Sequence, residues 1–181
     1  MKKLFLMMAA AITAVSVNAQ VWMGGSLGFW SNSDAKDSEI KTTFNISPEV
    51  GYNLSEDWSI AMAFSYELAK YDNDMDITGL SVNPYVRYNM VKAGALSLFL
   101  DGGFEVGSYE LNSGNEDKSY SAWGVGIKPG IAYSLNEEFS LVAHVGFLGY
   151  RDCDDEIADV VQRGFGFKFA NTLTFGVYYS F

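Results

Sequence analysis

The sequence predicts an all-β fold, namely a transmembrane antiparallel up-and-down β-barrel of eight strands. Three observations predict it. A seven-residue pattern recurs four times, apolar and polar residues alternate in strand-length segments, and nothing after residue 19 reaches the roughly 18 consecutive apolar residues of a membrane helix. The chain also has 18 glycines and 15% aromatic residues but only 3 prolines, which favours strands joined by tight turns.

The repeat contains all three prolines. Copies that begin at Pro48, Pro84 and Pro129 share the form Pro-x-(Val/Ile)-x-Tyr-(Asn/Ser)-(Leu/Met), and a fourth copy, 175–181, has Phe in place of Pro. Each copy predicts the end of one strand, at residue 54, 90, 135 or 181. Alternating segments at 21–30, 58–68, 96–106 and 139–150 supply the other four strands.

The predicted connections differ in length on the two sides of the barrel. Those near 54–57, 90–95 and 135–138 are short, and those near 31–41, 70–76, 109–119 and 151–164 are longer. Short periplasmic turns and longer extracellular loops are typical of barrels in bacterial outer membranes. The longer loops are therefore expected outside the cell.

The charged residues within the predicted strands all lie on one face, opposite a face of apolar side chains such as Ile60, Leu98 and Ile127. A charge facing lipid costs about 2–4 kcal/mol at the bilayer midplane, whereas charges of both signs can pair inside a narrow lumen. The apolar face should therefore meet lipid, and side chains should fill the interior. The predicted inward charges are Glu49, Glu67, Arg87, Asp101, Glu105, Lys128 and Lys168.

Prolines and aromatic residues give two further expectations. Proline cannot donate to a β-ladder, so each proline is expected at a β-bulge or in the periplasmic half of the barrel. Aromatic residues near both strand ends are expected to form the two interfacial girdles. The turn-side set is Tyr52, Trp58, Tyr88, Tyr133, Tyr179 and Phe181, and the loop-side set is Trp30, Tyr66, Tyr71, Tyr120, Trp123 and Tyr150.

Residues 1–19 predict a secretory signal peptide, with a basic start, an apolar run at 4–17 and a cleavage signal that ends at Ala19. Residues 20–181 then form one barrel domain of 181 − 19 = 162 residues. Gln20 follows the cut, so no N-terminal lipid anchor is expected. Losing Lys2 and Lys3 takes the net charge from −10 to −12, which gives no electrostatic attraction for nucleic acid.

The export signal, the eight alternating strands and the tail 173–181 together resemble the small OmpA/OmpX-type outer-membrane β-barrels, over the whole mature chain. The resemblance implies a monomer in the outer membrane of a Gram-negative-type bacterium, surrounded by outer-membrane lipid and lipopolysaccharide. It also implies that the barrel-assembly machinery recognises the C-terminal strand ending at Phe181. A second, peptidoglycan-binding domain is not expected.

Metal-binding patterns are weak. Residues 72–76 begin like a calcium loop, but Ile77 and Asn83 occupy positions that require Gly and Glu. By these boundaries the four longer loops hold 14 of the 22 acidic residues, including an acidic run at 152–159. Such loops could bind divalent cations that bridge lipopolysaccharide, or could simply keep the surface hydrated.

Catalytic patterns are weak as well. His144, the only histidine, is expected in the lumen as a paired or packed group, because no serine neighbours it. Lipid A deacylases among eight-stranded barrels instead use a Ser–His pair on the lipid face. Cys153 is the only cysteine, so it forms no internal disulfide, and it is expected to be a loop residue without a role.

The sequence thus predicts a non-enzymatic barrel with acidic extracellular loops, serving envelope structure or surface contact. No catalytic residue, metal site or cofactor is predicted. Two alternatives stay open. An enzyme acting on outer-membrane lipid would need His144 to face lipid near Ser or acidic groups. A narrow channel would need a hydrated path past Glu49, Arg87, Glu105 and Lys128.

Overall fold

The computed structural model describes residues 20–31, 40–71, 76–112, 117–157 and 163–181. Eight antiparallel strands close into one barrel, in which neighbours in sequence pair and the first strand pairs with the last. The predicted eight-stranded barrel is therefore confirmed, while the signal peptide, 1–19, lies outside the described residues. The strands are β1 (Val21–Ser31), β2 (Ile40–Asn53), β3 (Trp58–Tyr71), β4 (Asp76–Ala93), β5 (Leu96–Asn112), β6 (Asp117–Ser134), β7 (Phe139–Cys153) and β8 (Gly164–Ser180).

A 3-10 turn, Asp155–Ile157, follows β7. Within the described ranges, the structure contains no helix with the length and apolar character needed to span a membrane.

The strands on the loop side are longer than the sequence predicts. β5 runs to Asn112 and β6 begins at Asp117, so only 113–116 connects them, and only 72–75 connects β3 to β4. These two connections are as short as the turns at 54–57 and 135–138, so the expectation of four long loops is wrong for them. The apolar alternation marks the lipid-facing length of a strand, and hydrogen-bonded pairing continues beyond it through polar residues.

The two faces of the barrel are as predicted. Outward side chains such as Ile60, Phe104 and Val125 are 46%, 52% and 50% exposed, whereas the charged side chains of Arg87 and Asp101 are buried inside. Apolar groups outside and charges inside suit a wall that is surrounded by lipid.

Local polar groups shape the short turns. Gly94 adopts φ +62°, a left-handed conformation that lets two residues connect β4 to β5. The Ser55 hydroxyl accepts a hydrogen bond from the Trp58 amide at 3.1 Å, and the Asn136 side chain accepts one from the Phe139 amide at 2.7 Å. Each contact satisfies a backbone donor at the point where the chain reverses.

Two of the three prolines lie where they were expected: Pro129 lies within a register shift between β6 and β7, and Pro48 lies in the turn-side half of β2. Pro84 is the ninth of the 18 residues of β4, at mid-strand and without a register shift, so the expectation is not met there. At Pro84 the ladder to β5 skips the pair with Phe104. The Asn83 side-chain amide donates to the Phe104 carbonyl at 2.9 Å, and so replaces the N–H that proline lacks.

Aromatic rings form contacts at both ends of the lipid-facing band. On the turn side, Trp58 and Tyr88 have ring centres 4.6 Å apart, and on the loop side those of Trp123 and Tyr150 are 5.5 Å apart. Tyr71 and Tyr120 depart from the predicted girdle: they pack against a buried cluster within the barrel. Their positions in the strand alternation place them on the inward face. The side chain of Trp30 lies outside the described structure.

Candidate functional site: the barrel interior

Aromatic side chains around Arg87 fill the turn-side half of the lumen. The guanidinium carbon lies 4.0 Å from the centre of the Phe99 ring, and Phe99 is fully buried. Three more rings lie at 5.2–5.6 Å from the same carbon. We call this group the turn-side plug; it comprises Trp22, Tyr85, Arg87, Phe99 and Tyr178. Cation–π contacts of this kind stabilise a guanidinium that is shielded from water.

A single carboxylate compensates the charge of the plug. Asp101 accepts hydrogen bonds from Nε and Nη2 of Arg87 at 2.7 and 2.8 Å. His144 Nε2 lies 2.7 Å from Oδ2 of the same carboxylate, and its ring meets Phe99 edge-on at 5.4 Å. A buried charge is tolerated when it is paired and hydrogen-bonded, and Asp101 supplies both for Arg87.

Glu49 fixes two of the rings in the plug. Its Oε2 atom accepts hydrogen bonds from the hydroxyls of Tyr85, at 2.6 Å, and Tyr178, at 2.7 Å. Tyr178 also stacks on Trp22, with ring centres 4.8 Å apart. Among the described residues, no fully buried side-chain polar atom lacks a hydrogen-bond partner. The interior is therefore a packed polar and aromatic core rather than an open pore at this level.

Four inward aromatic side chains lie over a glycine of the neighbouring strand. A Cβ atom added to Gly51 would lie 2.2 Å from Trp22 ring atoms, and one added to Gly130 would lie 2.2 Å from Phe99. The same relation joins Tyr178 to Gly24 and Tyr109 to Gly79. Because glycine has no side chain, each ring can lie flat against the wall, and large rings fit inside a narrow barrel.

A cavity of about 530 Å³ lies on the loop side of the plug. Its wall carries charges of both signs: Lys128 Nζ lies 3.9 Å from Glu105 Oε2, and Arg151 lies over the Phe147 ring at 4.3 Å. Glu67 also lines this space. Among the described residues, side chains thus fill the turn-side end of the lumen and line a cavity at the loop-side end.

The described start of the connection from β7 to β8, residues 154–157, packs at the loop-side mouth. Ile157 is fully buried there in a cluster with Cys153. Arg163 Nε lies 2.8 Å from Asp152 Oδ1, and Arg163 also pairs with Asp155. The two carboxylates raise the pKa of the Arg163 guanidinium, so the guanidinium remains charged. Cys153 is the last residue of β7 and is buried, so its expected place in a loop is wrong: the strand is longer than its apolar part.

Six of the seven predicted inward charges are in the lumen or line it, and the side chain of Lys168 lies outside the described structure. His144 lies in the lumen and is paired, as predicted. Arg151 was not predicted to lie in the lumen, because the apolar alternation of β7 ends at Tyr150. The plug aromatics were not predicted either, because apolar residues were assigned to lipid. The signal was available in the repeat, since Tyr85 and Tyr178 occupy positions between the lipid-facing ones.

The side chains of the interior do not form a metal site or a nucleophile–base pair among the described residues. Within the described ranges, no group of three or more His, Cys, Asp or Glu residues could hold a metal ion. The calcium-like segment lies almost wholly outside those ranges, at 72–75, so its rejection stays a prediction. His144 makes its contacts with Asp101 and Phe99 rather than with a hydroxyl.

Comparison with known proteins agrees with this architecture. The family model described as outer membrane protein beta-barrel domain matches residues 4–181. The chain belongs to this family. It is therefore an outer-membrane β-barrel protein, of the OmpA/OmpX type that the sequence resembles. A search of curated proteins finds no match.

Solved structures support the fold alone, because their sequence identity to this chain is low. Neisserial surface protein A superposes with a TM-score of 0.57 at 16% identity, covering 91% of this chain and 98% of that one. For the outer membrane protein OprG from Pseudomonas aeruginosa the TM-score is 0.54 at 14% identity, with 90% and 96% coverage. For the N-terminal barrel domain of Pseudomonas aeruginosa OprF the TM-score is 0.52 at 16% sequence identity, covering 91% of this chain and 98% of that one.

Proposed function

We propose that this protein is a non-enzymatic, monomeric outer-membrane barrel that is closed to solutes and presents its loop side for envelope structure or surface contact. The turn-side plug carries the proposal. A solute that crossed the lumen would have to pass Arg87, which lies among four rings and is hydrogen-bonded to Asp101. Displacing these groups would leave a buried charge unpaired, which is strongly unfavourable.

Planar-bilayer recording tests the closed lumen. The refolded protein should show no steady conductance, and Phe99→Ala should introduce one, because the ring in contact with Arg87 is removed. Phe104→Ala is the matched control: it removes a ring of the same size from the lipid face of the same strand, where Phe104 is 52% exposed. Steady conductance of the unaltered protein would overturn the proposal in favour of a channel.

The position of His144 argues against the alternative of a lipid-modifying enzyme. Its imidazole is inside the barrel and is held by Asp101, while lipid substrates lie outside the wall. A surface-lipid enzyme would need a nucleophile and base accessible from the membrane. Cells that produce the protein, its His144→Ala variant or neither should have identical outer-membrane lipid profiles. A lipid species that depends on His144 would contradict the non-enzymatic proposal.

Intramolecular contacts of the acidic run favour a structural role over cation binding. Asp154 Oδ2 accepts a hydrogen bond from the Ser121 amide at 2.8 Å, and Asp152 and Asp155 pair with Arg163. These contacts attach the loop to the mouth of the barrel. Titration of the refolded protein with calcium should therefore leave its thermal unfolding unchanged, and calcium-dependent stabilisation would favour the bridging role instead.

The remaining partners in the proposal are those of an inserted barrel. Outer-membrane lipid and lipopolysaccharide surround the wall, and the barrel-assembly machinery recognises the C-terminal strand ending at Phe181. A signal peptide removed near Ala19 delivers the chain to the periplasm. The exposed apolar wall, with Phe29 at 70% and Phe175 at 65%, favours lipid contact on all sides.

A further inference from the structure

We infer that the cavity on the loop side of the turn-side plug binds a short peptide with free termini, whose ammonium group contacts Glu67 on one wall and whose carboxylate contacts Arg151 on the other. The peptide enters from the loop side and stops at the turn-side plug, so binding is distinct from passage through the barrel. This inference goes beyond the proposed envelope role and does not rest on it.

Glu67 and Arg151 lie on opposite walls of the cavity. Both residues line it, Glu67 from β3 and Arg151 from β7. These strands are half a turn apart in the closed ring of eight, so they face each other across the lumen. The two side chains also interact electrostatically across this space. A ligand with a positive end and a negative end can therefore contact both walls at once.

Packing fixes the position of Arg151. Its guanidinium carbon lies 4.3 Å from the centre of the Phe147 ring, and its Cγ atom would lie 2.9 Å from a Cβ added to Gly124. The Phe147 ring itself covers Gly126 and Gly149, where an added Cβ would lie 2.6 Å from ring atoms. A guanidinium that stacks on a ring through its face directs its N–H donors within its own plane, in the fork geometry that suits a carboxylate.

Glu105 and Lys128 add a second charge at each end of the site. Lys128 Nζ lies 3.9 Å from Glu105 Oε2, which is an ion pair but is longer than a hydrogen bond. Both side chains line the cavity and are about one-third exposed, at 32% and 28%. Glu105 also interacts with Glu67, and a cation close to two carboxylates relieves their repulsion. The ammonium group of a ligand would supply that cation.

The other two carboxylates of the described lining are engaged within the plug. Glu49 accepts hydrogen bonds from Tyr85 and Tyr178, and Asp101 accepts them from Arg87. These contacts belong to the packed core and leave Glu67 and Glu105 as the carboxylates that face a ligand. The arrangement therefore places the acidic end of the site away from the turn-side plug.

Neutral polar side chains line the cavity between the charged groups. A hydroxyl both donates and accepts hydrogen bonds, and a side-chain amide has a donor and an acceptor, as a peptide bond does. Ser47 and Ser65 share one hydrogen bond of 2.7 Å, and each hydroxyl oxygen retains acceptor capacity. Such a lining matches the N–H and C=O groups of a peptide better than it matches an alkyl chain. The set comprises Asn45, Ser47, Ser65, Ser81 and Asn83.

The size and position of the cavity suit such a ligand. Its volume of about 530 Å³ lies within the range of about 300–1,000 Å³ for small-molecule sites. Arg163, at the loop-side mouth, and Tyr85, in the turn-side plug, both line it. The cavity thus extends from the mouth to the plug, and in the expected orientation of the barrel a peptide reaches it from outside the cell.

Isothermal titration calorimetry of the refolded protein with Ala-Ala-Ala tests the inference, and saturable binding is expected. The N-acetylated tripeptide lacks the ammonium charge and the C-terminal amide lacks the carboxylate. Each should bind about tenfold more weakly or worse, because each loses a charge-assisted contact. Free alanine should also bind more weakly, since it is too short to contact both walls. Absence of saturable binding, or equal affinity for the capped peptides, would overturn the inference.

Variants assign each end of the peptide to its wall. Arg151→Gln should weaken binding of Ala-Ala-Ala about tenfold or more and leave binding of the C-terminal amide nearly unchanged, because that ligand has already lost the contact. Glu67→Gln should show the same relation with the N-acetylated tripeptide. Lys92→Gln is the matched control, since it removes a cation from an exposed turn-side pair, and it should bind as the unaltered protein does.

Heat-modifiable gel mobility verifies folding of each variant. Equal weakening of all three peptides by Arg151→Gln would mean that the residue shapes the cavity without contacting the carboxylate, and would overturn the assignment. The comparison of capped and uncapped peptides on the unaltered protein remains decisive if a variant does not fold.

Discussion

Asp101 accepts hydrogen bonds from two different nitrogens of the Arg87 guanidinium, at 2.7 and 2.8 Å, in the turn-side half of the barrel. The two residues are register partners on β4 and β5, so the pair forms as soon as these strands align. His144, from β7, reaches the same carboxylate. One aspartate thus connects three strands around the plug, and its removal should affect the whole interior.

Asp101→Asn should therefore destabilise the barrel strongly. The amide has no charge to compensate the buried guanidinium, and breaking a buried pair costs about 3–5 kcal/mol. The free energy of unfolding in lipid vesicles, followed in urea by the gel mobility of folded and unfolded forms, measures the effect. The control is Asp57→Asn, whose exposed pair with Lys92 at 3.2 Å is worth about 0–1 kcal/mol. Equal effects of the two substitutions would contradict the structural role of Asp101.

Gly130→Ala should interfere with the plug through sterics alone. The new methyl carbon would lie 2.2 Å from Phe99 Cζ, and the ring is enclosed by Arg87 and His144. Overpacking of this kind costs about 1–3 kcal/mol. Gly102→Ala, on the lipid face, should change stability little, and Phe99→Leu should relieve part of the cost in a double variant. The same urea unfolding decides the outcome; no difference between Gly130→Ala and Gly102→Ala would show that Phe99 can move aside.

The sequence predicted those features that depend on local alternation. The repeat that begins at Pro48, Pro84 and Pro129 gave the strand number, and the parity of charged residues gave the face directions. Strand ends such as Asn112 were missed because polar residues extend a ladder without any apolar signal. The register of β1 against β8, from Trp22↔Ser180 to Ser26↔Gly176, could not be predicted, since it joins the two ends of the chain and depends on how six intervening strands twist and tilt.

The interior shows a second limit of local patterns. An aromatic residue suits both lipid and lumen, so hydrophobicity alone does not assign Trp22 or Phe99 to a face. The register partners of these two residues assign them to the lumen, because Gly51 and Gly130 lie directly opposite them and leave room for the rings. That information exists only once strands are aligned. A sequence method that scored aromatic residues against glycines on the adjacent predicted strand would find these pairs.

Phe181→Ala should reduce assembly in cells while leaving refolding in detergent intact. The Phe181 ring meets Tyr179 edge-on at 4.8 Å, and its backbone amide donates to the Val21 carbonyl at 3.1 Å, a bond that alanine keeps. The side chain is 39% exposed, so its loss costs the folded barrel little. Leu135→Ala is the control, because Leu135 occupies the same position in an internal copy of the repeat. Comparable outer-membrane levels of the two variants would contradict recognition of the terminal residue.

The contact between Asn83 and Phe104 provides a test of how a proline is accommodated in the middle of a ladder. Asn83→Ala should cost about 1–3 kcal/mol, because the Phe104 carbonyl loses the donor that replaces the proline N–H. Pro84→Ala restores a backbone donor at the register position of Phe104. Asn83→Ala should therefore cost less in the Pro84→Ala background, with a coupling of about 0.5–3 kcal/mol in a double-mutant cycle.

Urea unfolding of the four proteins measures this coupling. The side chains of Asn83 and Phe104 face different sides of the wall, so the Asn83 amide contacts the backbone carbonyl of Phe104 and not its ring. The packing that Asn83→Ala removes should therefore cost the same with Pro84 and with Pro84→Ala. Ser81→Ala, two residues away on the same inward face of β4, gives the size of that common contribution. Additive effects of Asn83→Ala and Pro84→Ala would mean that the carbonyl takes its hydrogen bond from another donor when the side chain is removed.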